Sequence, residues 1–380
     1  MAMTAYTPTT SAAITNYMDV LVTAPAGVPR FDYGPVTGQA LGLLIEEQRT
    51  NLALNSSNSK ASAMLNGSFL PNIAIAPDGT QTACYAFLNS GIAYNINDGS
   101  GLSISSIAYT AQTYTWSVYA KAGALSILMF RNNWTGGNPQ FNLLTGAVTQ
   151  GSGTSSMTLI GNGWYRCVNT YTVTTSTNGI SLRPYAATGN GDGISGVYLW
   201  GIQVEAGSFA TSYVDTTTAQ VTRNADSASM TGTNFSSWYN QAQGTVCVNY
   251  DFNATSGINA NAGIFALNNS NTGNPLNRLD IRYNNPINTS NGIGLNAPNA
   301  GTMLTGGNVN RIGVSYNSPN STYAFNGGSI SNFSLTAMPI MTQLRIGAVD
   351  NGDAYMGGHI RKLTYYSVAL SSAQLIGLTS

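Results

Sequence analysis

His359, in Gly357-Gly-His-Ile360, is the chain's single histidine, and its thiols are three widely spaced cysteines, Cys84, Cys167 and Cys247. Acyl transfer needs a nucleophile held within hydrogen-bonding reach of a base. No Gly-x-Ser-x-Gly elbow accompanies His359. No P-loop or Gly-x-Gly-x-x-Gly follows a strand and opens a helix. One histidine and three scattered cysteines do not make a zinc site. An odd, small number of cysteines also argues against a disulfide framework, so the three read as buried free thiols.

Carboxylates are the remaining catalytic resource. Glycoside hydrolysis needs only two of them, roughly 5–10 Å apart. Asp350 and Asp353, in Val349-Asp-Asn-Gly-Asp353, are the obvious nearby pair. A polar turn between strands is the simpler reading. The same glycine-containing loop of hard oxygen ligands would suit calcium, the one metal for which the sequence offers candidate ligands. Gly191-Asp-Gly193 is a weaker candidate, and Glu46 and Glu47 beside Arg49 read as a salt-bridged turn.

Sugar recognition asks for flat aromatic faces and neutral hydrogen-bonding side chains. The loop Arg131-Asn-Asn-Trp-Thr-Gly-Gly137 offers both, with Trp134 as stacking platform and Asn132 and Asn133 as polar partners. The competing reading folds Trp134 back as an anchor on a sandwich edge. Trp116, Trp164 and Trp200 fit strand alternation and read as core, while Trp238 opens the last domain.

Composition supports binding over catalysis. Of 380 residues only 7% are charged, against about 25% in an average domain. The 14 basic and 14 acidic residues balance, so no global field favours nucleic acid or an anionic membrane. Disorder pairs low hydrophobicity with high net charge; here 43% of residues are hydrophobic, with 21 tyrosines and 42 glycines. The first basic residue is Arg30, so the charged start of a secretory signal is not expected. No run reaches the ~20 apolar residues of a membrane span.

The elements that must position these groups are strands. Tyr114, Trp116, Val118 and Ala120 alternate with Thr115, Ser117, Tyr119 and Lys121. Tyr165, Cys167, Asn169, Tyr171 and Val173 define a second face. Tyr198, Trp200, Ile202 and Val204 are expected to point inward together, opposite Gln203 and Glu205. Val246, Val248, Tyr250 and Phe252 begin another unit beyond a polar stretch near 216–235, and Asn326-Gly327 marks a hairpin turn. Period two over such lengths is the mark of half-buried antiparallel strands. The run Leu41–Ile45 reads as a strand buried on both faces, and Ser371 with Gln374 forms a capping box for one terminal helix. The few charges are expected near turns. The fold class is therefore all-β: two antiparallel β-sandwiches behind an N-terminal arm, with domains at 1–51, 52–216 and 217–380.

Arg30-Phe-Asp-Tyr-Gly-Pro-Val-Thr-Gly38, running into Leu41-Gly-Leu-Leu-Ile-Glu-Glu-Gln-Arg-Thr-Asn-Leu52, resembles a segment recurrent in bacteriophage virion proteins called head spike, head fibre or tail fibre proteins. There it precedes a jelly roll similar to carbohydrate-binding modules. Gly161-Asn-Gly-Trp-Tyr-Arg-Cys167 and Tyr198-Leu-Trp-Gly-Ile-Gln-Val-Glu-Ala-Gly-Ser-Phe-Ala-Thr-Ser-Tyr213 resemble its closing strands. Gly357-Gly-His-Ile-Arg-Lys-Leu-Thr-Tyr-Tyr366 and Ala369-Leu-Ser-Ser-Ala-Gln374 resemble the end of a laminin-G/concanavalin-like sandwich. That pattern often carries calcium, for which Asp350 and Asp353 would stand as ligands.

The resemblance implies an exposed fibre, spike or decoration subunit on a phage particle, assembled in the host bacterial cytoplasm. It would be docked by residues 1–51 on other virion proteins, capsid or tail subunits. Weak multivalent binding of host cell-surface glycan is expected of such a subunit, and closed symmetry favours a homotrimer; composition and the missing motifs predict no enzyme, no nucleic-acid partner and no membrane insertion. Two alternatives stand beside it: a tailspike depolymerase, and a structural decoration without ligand.

Overall fold

In the computed structural model, the residues described are 5–7, 12–16, 20–57, 63–94, 101–103, 107, 109–131, 137–174, 181–253, 262–269, 278–282, 293–296, 309–334, 338, 340–349 and 355–380. They form an all-β protein with two short helices, Thr233–Ser236 and Ser372–Thr379.

The first sandwich faces two six-stranded antiparallel sheets. One runs Val148–Thr149, Gln140–Asn142, Ile127–Arg131, Ser181–Tyr185, Gly101–Ser103, Ala63–Leu65. The other runs Thr154–Gly161, Trp164–Val173, Gln112–Ala122, Gly196–Ala206, Ala83–Leu88, Gly67–Ala74. Tyr114, Trp116, Val118 and Ala120 all enter the core between them, as their alternation requires. Trp116 is 1% exposed, and its indole N–H donates to the Tyr109 hydroxyl at 3.1 Å. The ring thus gains its burial energy without stranding a donor. The three cysteines are free and buried, as expected.

One strand departs from simple alternation. Ser117 pairs with Gln203, but Tyr119 pairs with Trp200, so Gly201 and Ile202 together oppose Val118. Gly201 takes φ +62°, and a Cβ there would lie 2.8 Å from the Tyr119 ring. This β-bulge flips the face of everything before it. Ile202 and Val204 lie in the main core as expected, whereas Tyr198 and Trp200 lie on the outer face. There Trp200, Trp164, Tyr119 and Tyr213 form a second cluster, covered by Ala13 and Leu21 of the hairpin Ala12–Thr15/Leu21–Ala24. All three tryptophans are buried, but only Trp116 belongs to the main core.

The second sandwich packs a six-stranded sheet (Ala5–Thr7, Ser227–Thr231, Gln343–Ile346, Gly263–Asn268, Arg278–Arg282, Ile293–Asn296) against a seven-stranded one. The latter runs Ser331–Ser334, Asn320–Phe325, Asn310–Asn317, Gln243–Phe252, Gly358–Tyr366, Ala40–Ile45, Phe31–Tyr33. Only the last pair of the six-stranded sheet is parallel. Val246, Val248, Tyr250 and Phe252 meet Leu279, Ile281, Ile312 and Val314 in its core. The terminal helix has the expected capping box, with Gln374 N donating to the Ser371 hydroxyl and the Gln374 side chain reaching back to Ser371 N.

Part of the N-terminal region 1–51 is built into this body. Ala40–Ile45 pairs with Gly358–Tyr366, and Leu43 and Ile45 are members of the second core. Of the apolar run Leu41–Ile45, Leu43, Leu44 and Ile45 are buried on both faces, at 6%, 3% and 0% exposure, while Leu41 is half-buried. Each such side chain contributes about 1.5–3 kcal/mol by leaving water, which a solvated arm would forgo. Arg49–Asn51 pairs with Val221–Arg223, so the chain's entry to and exit from the first sandwich run side by side.

Charges also depart from expectation. Arg30, Arg183, Arg223, Glu205, Asp226 and Asp280 are fully buried. Others sit at turns as expected: Asp78 accepts from Thr80 N and Asp192 from Ile194 N and Ser195 N.

Candidate functional site

Where the two sandwiches meet, the chain leaves a cleft of about 780 Å³. One side is the outer face of the first sandwich. Thr154, Ser156 and Thr158 alternate on its edge strand, exposed, and register against Thr170, Val168 and Arg166 of the next strand. Hydroxyls occupy this face because the opposite face of the same strands is committed to the core. The crossing segment 208–213 lines the cleft with Phe209, whose ring carries the Arg49 guanidinium at 5.0 Å. Leu21, Leu41, Ile160 and Tyr119 supply apolar lining.

Two buried charge arrays hold this junction. In the first, Arg30 donates from Nη1 to Glu46 Oε2 at 2.8 Å, and from Nε and Nη2 to Asp226. Arg223 stands 3.6 Å from Glu46 and 3.8 Å from Asp226. Glu46 also accepts from Ser212 N at 2.8 Å and Ser212 Oγ at 2.6 Å, which ties the second sandwich to the crossing segment. Burial pushes the Glu46 carboxyl up, but Arg223, Arg30 and Ser212 outweigh it and hold it well below the usual carboxylate range. For Asp226 burial wins over the same arginines and its pKa is raised. The salt-bridged turn expected of Glu46 and Glu47 beside Arg49 holds for Glu47, which pairs with Arg49, whereas Glu46 turns inward to Arg30.

The second array centres on the lone histidine. His359 and Asp251 are register partners on neighbouring strands, and His359 Nδ1 lies 2.8 Å from Asp251 Oδ1. His359 Nε2 lies 3.2 Å from Asp32 Oδ2, while Asp32 Oδ1 accepts from Thr15 N at 2.8 Å. Arg361 Nε donates to Asp251 Oδ2 at 2.6 Å. Burial alone would lower the histidine pKa; the hydrogen bonds and charges of Asp251 and Asp32 overcome it and lift it from 6.5 to about 9. At neutral pH both ring nitrogens donate to carboxylates, so neither is free to take a proton from a hydroxyl.

The glycan-binding residues expected from sequence, Asn132, Asn133 and Trp134, and the expected metal ligands Asp350 and Asp353, lie outside the described residues. Among the described residues no group of three or more His, Cys, Asp or Glu could hold a metal ion. The sides of the cleft lie far apart in the chain, from Ala13 to His359, so no local pattern in the sequence marks it. The alternation Thr154-x-Ser156-x-Thr158 was the one legible signal of a hydroxylated outer face.

No family model matches the chain, and no curated protein does. Solved structures similar to it include the Ruminococcus gnavus IT-sialidase CBM40, at 18% identity and TM-score 0.30, covering 37% of this chain and 84% of that one. The same module bound to alpha2,3 sialyllactose matches at 15% identity and TM-score 0.26, with the same coverage. Domains LG4-5 of the mouse laminin alpha1 chain match at 8% identity and TM-score 0.22, covering 92% of this chain and 97% of that one.

Proposed function

We propose that this protein is a non-catalytic glycan-binding subunit exposed on a bacteriophage particle, and that it holds host surface glycan in the cleft between its sandwiches. The observation that carries the binding reading is the lining of that cleft: Thr154, Ser156, Thr158 and Thr170 together with the aromatic ring of Phe209. A volume of about 780 Å³ lies within the usual range for small-ligand sites, about 300–1,000 Å³. Sugars need this mixture of neutral donors and acceptors with apolar surface. The non-catalytic reading is supported by His359, whose two nitrogens are committed to Asp251 and Asp32. The phage assignment is supported by the resemblance of Arg30–Leu52 to virion spike and fibre proteins. A symmetric trimer would make weak sites effective through high local concentration.

The test is a bacterial glycan array probed with the whole chain and with Phe209→Ala and Thr158→Val variants. Binding that both substitutions weaken supports the reading. Binding that neither substitution changes, or oligosaccharides released from host polysaccharide, would overturn it.

A further inference from the structure

We propose that the saccharide bound in the cleft is acidic, and that Arg166 recognises its carboxylate. This rests on the cleft being a glycan site, and it adds the chemical class of the ligand.

Most of the charged side chains lining the cleft are already paired. Asp32 is held by His359, and Glu46 by Arg30 and Arg223. His359 is itself held between Asp32 and Asp251. Arg166 is different. Its Nη2 donates to two neutral oxygens, Thr211 O at 2.6 Å and Ser117 Oγ at 3.1 Å. Its Nε is buried and has no hydrogen-bond partner. Its guanidinium lies over the Tyr119 ring, 5.5 Å from the centroid. Among the described residues no carboxylate comes within ion-pair distance of it. Glu205 is near enough for the two charges to feel each other, but its carboxylate accepts from Thr211 N and Thr211 Oγ1.

The Thr211 and Tyr119 contacts fix the guanidinium in place before any ligand arrives. A pre-positioned guanidinium loses little freedom on binding, and its charge complements a carboxylate. It sits beside Thr158, its register partner on the exposed edge strand. A sugar bridging these positions would place ring hydroxyls against the Thr and Ser row with its carboxylate toward Arg166.

The probes are glucuronic acid and glucose, which share a ring and differ at C6, with glucose 6-phosphate as a second anion. Binding to the full chain is followed by saturation-transfer NMR and titration. A charge-assisted contact predicts that glucuronic acid binds about tenfold to a hundredfold more tightly than glucose. The preference should shrink with added salt, and Arg166→Gln should abolish it while glucose binding remains. Arg166→Lys, which keeps the charge, should retain part of it. Equal binding of glucose and glucuronic acid would overturn the acidic assignment and leave the glycan reading standing. So would a preference that survives in a folded Arg166→Gln protein, and tighter binding of the phosphate ester would replace the carboxylate. Binding of none of the three would overturn both readings.

Discussion

Arg30 and Asp226 stand 196 positions apart in the chain and meet side by side with no exposed surface, Arg30 Nε donating to Asp226 Oδ1 at 3.3 Å and Nη2 to Oδ2. The pair joins the start of the second sandwich to the strand that follows the first. Asp226 Oδ2 also accepts from Glu46 N at 2.8 Å, so one carboxylate satisfies a side chain and a backbone donor together. Removing one partner of such a pair leaves a buried charge without compensation. Asp226→Leu should therefore lower unfolding free energy by about 3–5 kcal/mol, measured by urea denaturation. A loss below ~1 kcal/mol, the worth of an exposed pair, would show that the array is not closed to water.

His359 predicts a pH dependence with a defined sign. Its folded pKa is lifted from 6.5 to about 9. The stabilisation is therefore complete below pH 6.5 and disappears as pH rises through about 9. A shift of this size corresponds to about 3 kcal/mol. The same contacts lower the pKa of Asp251, so acid removes the interaction again as that carboxylate is protonated. Denaturation midpoints taken from neutral to alkaline pH should fall for the natural chain and fall less for His359→Gln. Parallel curves for the two proteins would contradict the clamp.

Gly201 is the pivot of the bulge. An alanine there would combine an unfavourable positive φ with a Cβ 2.8 Å from the Tyr119 ring. Gly201→Ala should cost about 1–3 kcal/mol. Because Trp200 and Tyr119 share one cluster, tryptophan fluorescence should change with it. An unchanged midpoint would mean that the strand tolerates another register.

The terminal helix offers a smaller test. Ser371→Ala removes the side-chain acceptor for Gln374 N and should cost about 1 kcal/mol. Leu375 is fully buried beside Cys247 and Ala324, so Leu375→Ala should cost more, about 2–5 kcal/mol. If the serine change costs as much as the leucine change, packing is not what holds this helix.

Strand content, the two core faces at Tyr114–Ala120 and Val246–Phe252, the buried thiols and the capping box were all legible in the residues. Each depends on neighbours a few positions away: side chains alternate with period two along a strand, and a cap reaches three residues forward.

What tertiary structure alone decided is everything that joins distant segments. Alternation predicted one face for Tyr198, Trp200, Ile202 and Val204, and the bulge at Gly201 split them, because one extra residue reverses the side of all that precede it. Nothing local distinguishes Glu46, buried against Arg30 and Arg223, from Glu47, paired with Arg49 near the surface. The His359 clamp draws on Asp32 and Asp251, respectively 327 and 108 positions away. Sequence by itself determined which faces must be dry. The meeting of the two sandwiches determined which scarce charges were buried together and which, at Arg166, was left with neutral hydrogen-bond acceptors.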